Sequence, residues 1–159
     1  MRLWRPRTTG ILIGGLVVII LAVAISFIVT NFQPRVDVQV GSGSFSARLA
    51  VDDVSRQTGL GGVTKLNPND GLLMAFPTDD TWGIWMKDMK VPIDIVWLNS
   101  NKEVIYIVTN ASPDLGTTKT FKPTTKARYV LEIPAGTAAQ DGIKAGVSAQ
   151  FTVDEGSVK

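Results

Sequence analysis

Ile93-Asp-Ile-Val-Trp-Leu98, then Asn99-Ser-Asn101, then, after Lys102-Glu103, Val104-Ile-Tyr-Ile-Val108: two apolar runs with three turn formers between them. Val, Ile, Trp and Tyr suit a pleated, half-buried surface, while Asn and Ser hydrogen-bond their own backbone in tight turns. The stretch predicts two strands joined by a hairpin turn. Upstream, Phe45, Ala47, Leu49 and Val51 alternate with Ser44, Ser46, Arg48 and Ala50, the period of a strand with one buried face. Gly71 to Phe76, Thr81 to Met86, Tyr129 to Ile133 and Phe151 to Val153 are further short apolar runs bounded by Gly, Pro, Asn or Asp. Asp52-Asp53 offers a start for a helix over Val54 to Leu60, and Thr137 to Gln140 has capping-box spacing for a second, closed by Gly142. Many short strands with two small helices predict a mainly β fold, a small β-barrel-like domain with a minor helical part.

The N-terminus reads differently. No residue between Thr8 and Pro34 is charged, and Ile11 to Val29 is apolar apart from Gly14, Gly15 and Ser26. At about 1.5 Å per helical residue this run reaches roughly 28 Å, the thickness of a bilayer's hydrocarbon core. Arg2, Arg5 and Arg7 precede it, so the positive-inside rule places the N-terminus in the cytoplasm and the rest beyond the membrane. Ala22-Val-Ala24 would suit signal peptidase, but the apolar run continues past it through Ile25, Phe27, Ile28 and Val29, which favours an uncleaved anchor. The expected organisation is a cytoplasmic basic tail (1–9), a transmembrane anchor (10–30), a juxtamembrane linker (31–44) with room for a strand at Val36 to Val40, a β domain (45–154) and a C-terminal tail (155–159).

Composition narrows the chemistry. The 159 residues include no Cys and no His, which removes disulfides, thiolate or imidazole metal sites, and Cys or His catalysis. No cofactor or metal is expected, and binding is favoured over catalysis. Of the sixteen basic residues three precede the apolar run, whereas none of the fourteen acidic ones does, leaving residues 31 to 159 at net −1. That domain has no broad basic face for nucleic acid.

Trp85-Met-Lys-Asp88, Pro92-Ile-Asp-Ile95 and Tyr129-Val-Leu-Glu-Ile-Pro-Ala-Gly136 occur in this order, with Gly59-Leu60, Gly71-Leu-Leu73 and Gly142-Ile-Lys-Ala-Gly146 around them. The combination resembles the domain-of-unknown-function family 192 over about Phe45 to Val153. That resemblance implies a compact, mainly β domain, commonly secreted or membrane-tethered, without an established activity. Two departures stand out: Gly61-Gly62-Val63 replaces a Met-x-Arg-like continuation, and the Cys pair that many members carry in a long loop is missing.

Candidate site residues are the polar ones within these apolar motifs. Strand alternation places Trp82, Ile84 and Met86 on one face and Trp85 and Lys87 on the other; an outward Trp beside a cation suits a polar ligand or peptide, and an inward one is core. Asp94 and Glu132 sit inside apolar runs, so each must face an opening, pair with Lys87, Lys126 or Arg128, or accept backbone hydrogen bonds. The candidate ligand-binding set is therefore Trp85, Lys87, Asp88, Asp94, Arg128 and Glu132, with the Asn110 to Lys126 connection as a cover. The principal expectation is a single-pass membrane protein presenting a β domain that binds an envelope protein or small polar ligand. The alternatives are an enzyme acting on envelope carbohydrate with Asp94 and Glu132 as acid and base, and an accessory subunit of an envelope complex.

Overall fold

In the computed structural model, which describes residues 34 to 159 and Val17, residues 34 to 159 form one compact unit. Apart from Val17, the anchor expected over 10–30 lies outside the described residues; among the described residues no helix is long and apolar enough to cross a membrane. The strands are β1 (Arg35–Val40), β2 (Gly43–Ala50), β3 (Asp70–Asp80), β4 (Ile84–Trp85), β5 (Ile93–Leu98), β6 (Val104–Ala111), β7 (Thr120–Phe121), β8 (Ala127–Pro134) and β9 (Ala149–Gln150). Within residues 34 to 159 two helices, α1 (Asp53–Thr58) and α2 (Thr137–Gln140), accompany the strands together with two short 3-10 turns.

Seven strands form one sheet in the order β6-β5-β8-β3-β2-β1-β9, and β4 pairs with β7 apart from it. β2 and β3 run parallel, and the helix α1 lies in the crossover that a parallel pair requires. The sheet curls into a half-barrel whose ends approach at one rim. There Glu103, just before β6, bridges Ser148, just before β9, and Val104 N donates to Val147 O at 2.8 Å. The concave side is filled by residues such as Val38, Phe45, Leu73, Val96, Leu131 and Ile133. Leu72, Met74, Ile95, Trp97 and Val130 face the other way and are covered by Leu60, Ile84, Met86, Met89 and Phe121. Burial on both faces explains why β5 reads as an apolar run broken only by Asp94; each fully buried large side chain stabilises the fold by about 1.5–3 kcal/mol.

The hairpin predicted at Asn99 is present. Asn99 Oδ1 accepts from Asn101 N and Glu103 N, each at 2.9 Å, and Lys102 takes the left-handed conformation at φ 62° that closes the turn. Asp52 caps α1, its carboxylate accepting from Ser55 N at 2.9 Å in a reciprocal capping box, so the helix begins as expected but ends at Thr58. The strand allowed at Val36 to Val40 forms as β1 and pairs with both β2 and β9, which places it in the folded unit.

Three local expectations are corrected. The run Thr81 to Met86 is not one strand: only Ile84–Trp85 pairs, because the chain turns at Trp82, whose N–H donates to Asp80 O and whose ring N–H donates to Thr78 O. The last strand is Ala149–Gln150 rather than Phe151 to Val153, since β1 offers pairing only at Gln39 and Val40, although Phe151 is still buried. Thr137 does not cap α2. That position belongs to Gly136 at φ 84°, which has no side chain, and the missing acceptor comes from another strand.

Candidate functional site

Asp94 supplies that acceptor. Fully buried on β5, its carboxylate accepts from Ala138 N in the first turn of α2 and from Asn110 N on β6, both at 2.8 Å. A negative oxygen at a helix N-terminus satisfies an otherwise orphan donor. Asp94 therefore uses the backbone hydrogen bonds that the sequence reading gave as one of its options, and it holds the fold.

Its expected companion points elsewhere. In the β5–β8 ladder Asp94 stands opposite Ile133, while Glu132 stands opposite Ile95. Paired residues share a face and successive residues alternate, so Asp94 and Glu132 lie on opposite faces of the sheet. The two carboxylates cannot flank one substrate, so the alternative reading of Asp94 and Glu132 as the acid and base of one site is overturned on this geometry.

Glu132 is 3% exposed, and its Oε2 has no hydrogen-bond partner. It lies at one wall of a cavity of about 260 Å³ between α1 with the turn that follows it and the Trp82 to Met89 segment. Leu60, Met74, Phe76, Ile84 and Met89 make most of the surroundings apolar, and Trp82 stacks on Phe76 at 4.3 Å between ring centroids. Burial pushes the Glu132 carboxyl up to about 8, opposed only in part by the nearby Arg48 guanidinium on β2, whose own pKa burial lowers.

Arg56 of α1 forms part of the same wall. It is buried, donates to Ala75 O and Asp53 Oδ1 at 2.7 Å each and also to Lys159 O, and lies over the Phe76 ring at 5.2 Å. Trp85 is 44% exposed at the cavity, and Lys87 Nζ sits 5.9 Å from the centre of its ring. Alternation thus holds locally, with Ile84 and Met86 inward and Trp85 and Lys87 outward. Gly61 lets the post-helix turn close on this segment: a Cβ there would come 2.9 Å from Thr58 O and 3.6 Å from Lys87 O.

Of the six residues singled out, Trp85, Lys87 and Glu132 line this cavity together. Asp88 borders an adjoining depression with Lys87, at φ 58°, its carbonyl accepting from Gly62 N. Arg128 is engaged with Pro77 O and Glu155 and does not line the cavity. The Asn110 to Lys126 connection does not cover the site. It contains a 3-10 turn and β7, is pinned by Met86 N to Gly116 O at 3.0 Å, and backs β4 with Phe121. The sequence reading missed Arg56, Phe76 and Trp82. An Arg in a short helix and two aromatics six residues apart carry no periodic signal that would have joined them. Among the described residues no three carboxylates gather as metal ligands.

The family model described as "Uncharacterized ACR", domain-of-unknown-function family 192, matches residues 36–151, and the chain belongs to this family. Two crystal structures are similar to it. One, a protein of unknown function from Novosphingobium aromaticivorans, has 28% identity and a TM-score of 0.68, with 74% of this chain and 84% of that chain covered. The other, described as a candidate transcription regulator from Sinorhizobium meliloti, has 28% identity and a TM-score of 0.67, covering 74% and 92%. No curated protein matches.

Proposed function

We propose that this protein is a single-pass membrane protein, N-terminus in the cytoplasm, whose half-barrel domain binds a small ligand at the cell envelope. The observation that carries the binding reading is a buried carboxyl with an unpartnered oxygen, set in an apolar cavity with an exposed Trp beside it. Natural interiors rarely leave a buried polar atom unsatisfied, and pockets that fix a ligand are mostly apolar with a few placed polar groups. The uncharged run from Ile11 to Val29 after three arginines supports the anchor and its direction.

Native mass spectrometry of the full-length protein, extracted from its own membranes in mild detergent, tests the binding reading. A species heavier than the 17.1 kDa chain by one discrete small-molecule mass is expected, with occupancy reduced in Trp85→Ala. A bare chain, or an adduct indifferent to Trp85→Ala, overturns this use of the cavity. Because the chain has no Cys, a Ser100→Cys variant reports topology: a membrane-impermeant maleimide should label intact cells, and labelling only after lysis would reverse the orientation.

A further inference from the structure

The chemistry around Glu132 restricts what the cavity can hold. Resting on the reading of this cavity as a ligand site, we infer that its ligand is a small neutral molecule, with an apolar body and one hydroxyl or amide head group that hydrogen-bonds the Glu132 carboxyl.

Size comes first. A cavity of roughly 150 Å³ lined by Leu, Ile and Phe accepts benzene, so the 260 Å³ here has room for one ring and a short substituent. It lies below the roughly 300–1,000 Å³ of drug-sized pockets.

Charge then selects the head group. Arg48 on β2 stands near Glu132, Asp53 and Arg56 come from α1, and Lys87 follows β4; Asp70 at the start of β3 is held by Arg35 and Asn67. Asp53 is held by Arg56 at 2.7 Å. An ammonium head would enter beside Arg48 and Lys87. It would also find the Phe76 ring approached by Arg56 and the Trp85 ring by Lys87, so the cation–π positions on these rings are taken. A carboxylate head would be drawn by Arg48 and Lys87 but would give up its hydration in an apolar cavity whose buried guanidinium, Arg56, is already engaged by Ala75 O, Asp53 and Lys159 O. A hydroxyl or primary amide avoids both costs. Burial keeps Glu132 protonated at neutral pH, so the carboxyl both donates and accepts, as these head groups do.

Four probes that share one ring isolate the head group: benzyl alcohol, benzylammonium, benzoate and toluene. Each is titrated into full-length protein in detergent, and binding is read on the indole N–H resonance of Trp85. Benzyl alcohol should bind at least about tenfold more tightly than either charged probe, a difference of about 1.4 kcal/mol. Its affinity should fall above pH 8 in the wild type and stay level in Glu132→Gln, where a neutral amide remains. Glu132→Leu should weaken benzyl alcohol about tenfold and leave toluene unchanged. Tighter binding of benzylammonium, or an affinity that rises through pH 8, overturns the inference. Equal binding of toluene and benzyl alcohol, unmoved by Glu132→Leu, overturns the head-group assignment while the cavity reading stands. If no probe shifts Trp85, both fall.

Discussion

Replacing Glu132 by Gln should change how the stability of this domain depends on pH. The wild-type carboxyl ordinarily titrates near 4.5 and is raised to about 8 in the fold, where burial in apolar surroundings disfavours its charge. A raised carboxyl means that the folded state holds the proton more tightly than the unfolded chain does. Its stabilising contribution is therefore complete below pH 4.5, declines as pH rises, and is lost above 8. At about 1.36 kcal/mol per pH unit, the wild type should lose on the order of 4 kcal/mol relative to Glu132→Gln between pH 5 and 8. For a domain of this size that is a difference on the order of 10 °C in Tm.

The window above pH 5 separates this effect from Asp52, Asp70 and Glu155, whose lowered pKa values give stability that disappears only as pH falls. Any constant cost of burying the Gln amide cancels, because only the slope is compared. The assay is thermal and urea unfolding of full-length wild type and Glu132→Gln in detergent, at half-unit steps from pH 5 to 9. Parallel curves would refute the reasoning, since they would mean that Glu132 is as well solvated in the fold as in the unfolded chain.

Asp94→Asn should destabilise the domain by about 2–4 kcal/mol, because one amide oxygen cannot replace both acceptors of Ala138 N and Asn110 N and its NH2 confronts a donor; urea midpoints read this. The same variant should bind benzyl alcohol as the wild type does, because Asp94 faces away from the cavity. Tyr129 donates to Glu155 Oε1 at 2.5 Å, and burial with this carboxylate raises its phenol to about 12. Ultraviolet titration should show a tyrosinate step near pH 12 that is missing from Tyr129→Phe.

Strand identity was legible in the sequence because period two and turn chemistry are local. The Phe45 to Val51 alternation, the Ile93 to Val108 hairpin and the Asp52 cap need only neighbours a few residues away. Alternation also separated Ile84 and Met86 from Trp85 and Lys87, though only the structure decided that Trp85 and Lys87 are the outward pair, and the ordered motifs carried the family. The short β4 was not legible, since the turn at Trp82 is fixed by bonds to Asp80 and Thr78 and by stacking on Phe76.

Asp94 and Glu132 show where local reading ends. By itself, the sequence determined that both carboxylates sit in buried strands and that neither could remain there without compensation. Only the tertiary structure decided how each is accommodated. The β5–β8 register sends one to the N-terminus of α2, where two backbone donors satisfy it, and the other to an apolar cavity where Oε2 has none. The physical reason is that desolvation is a property of the surroundings, and those are assembled from β2, β3, α1 and the Trp82 to Met89 segment, which lie far from Glu132 in the chain.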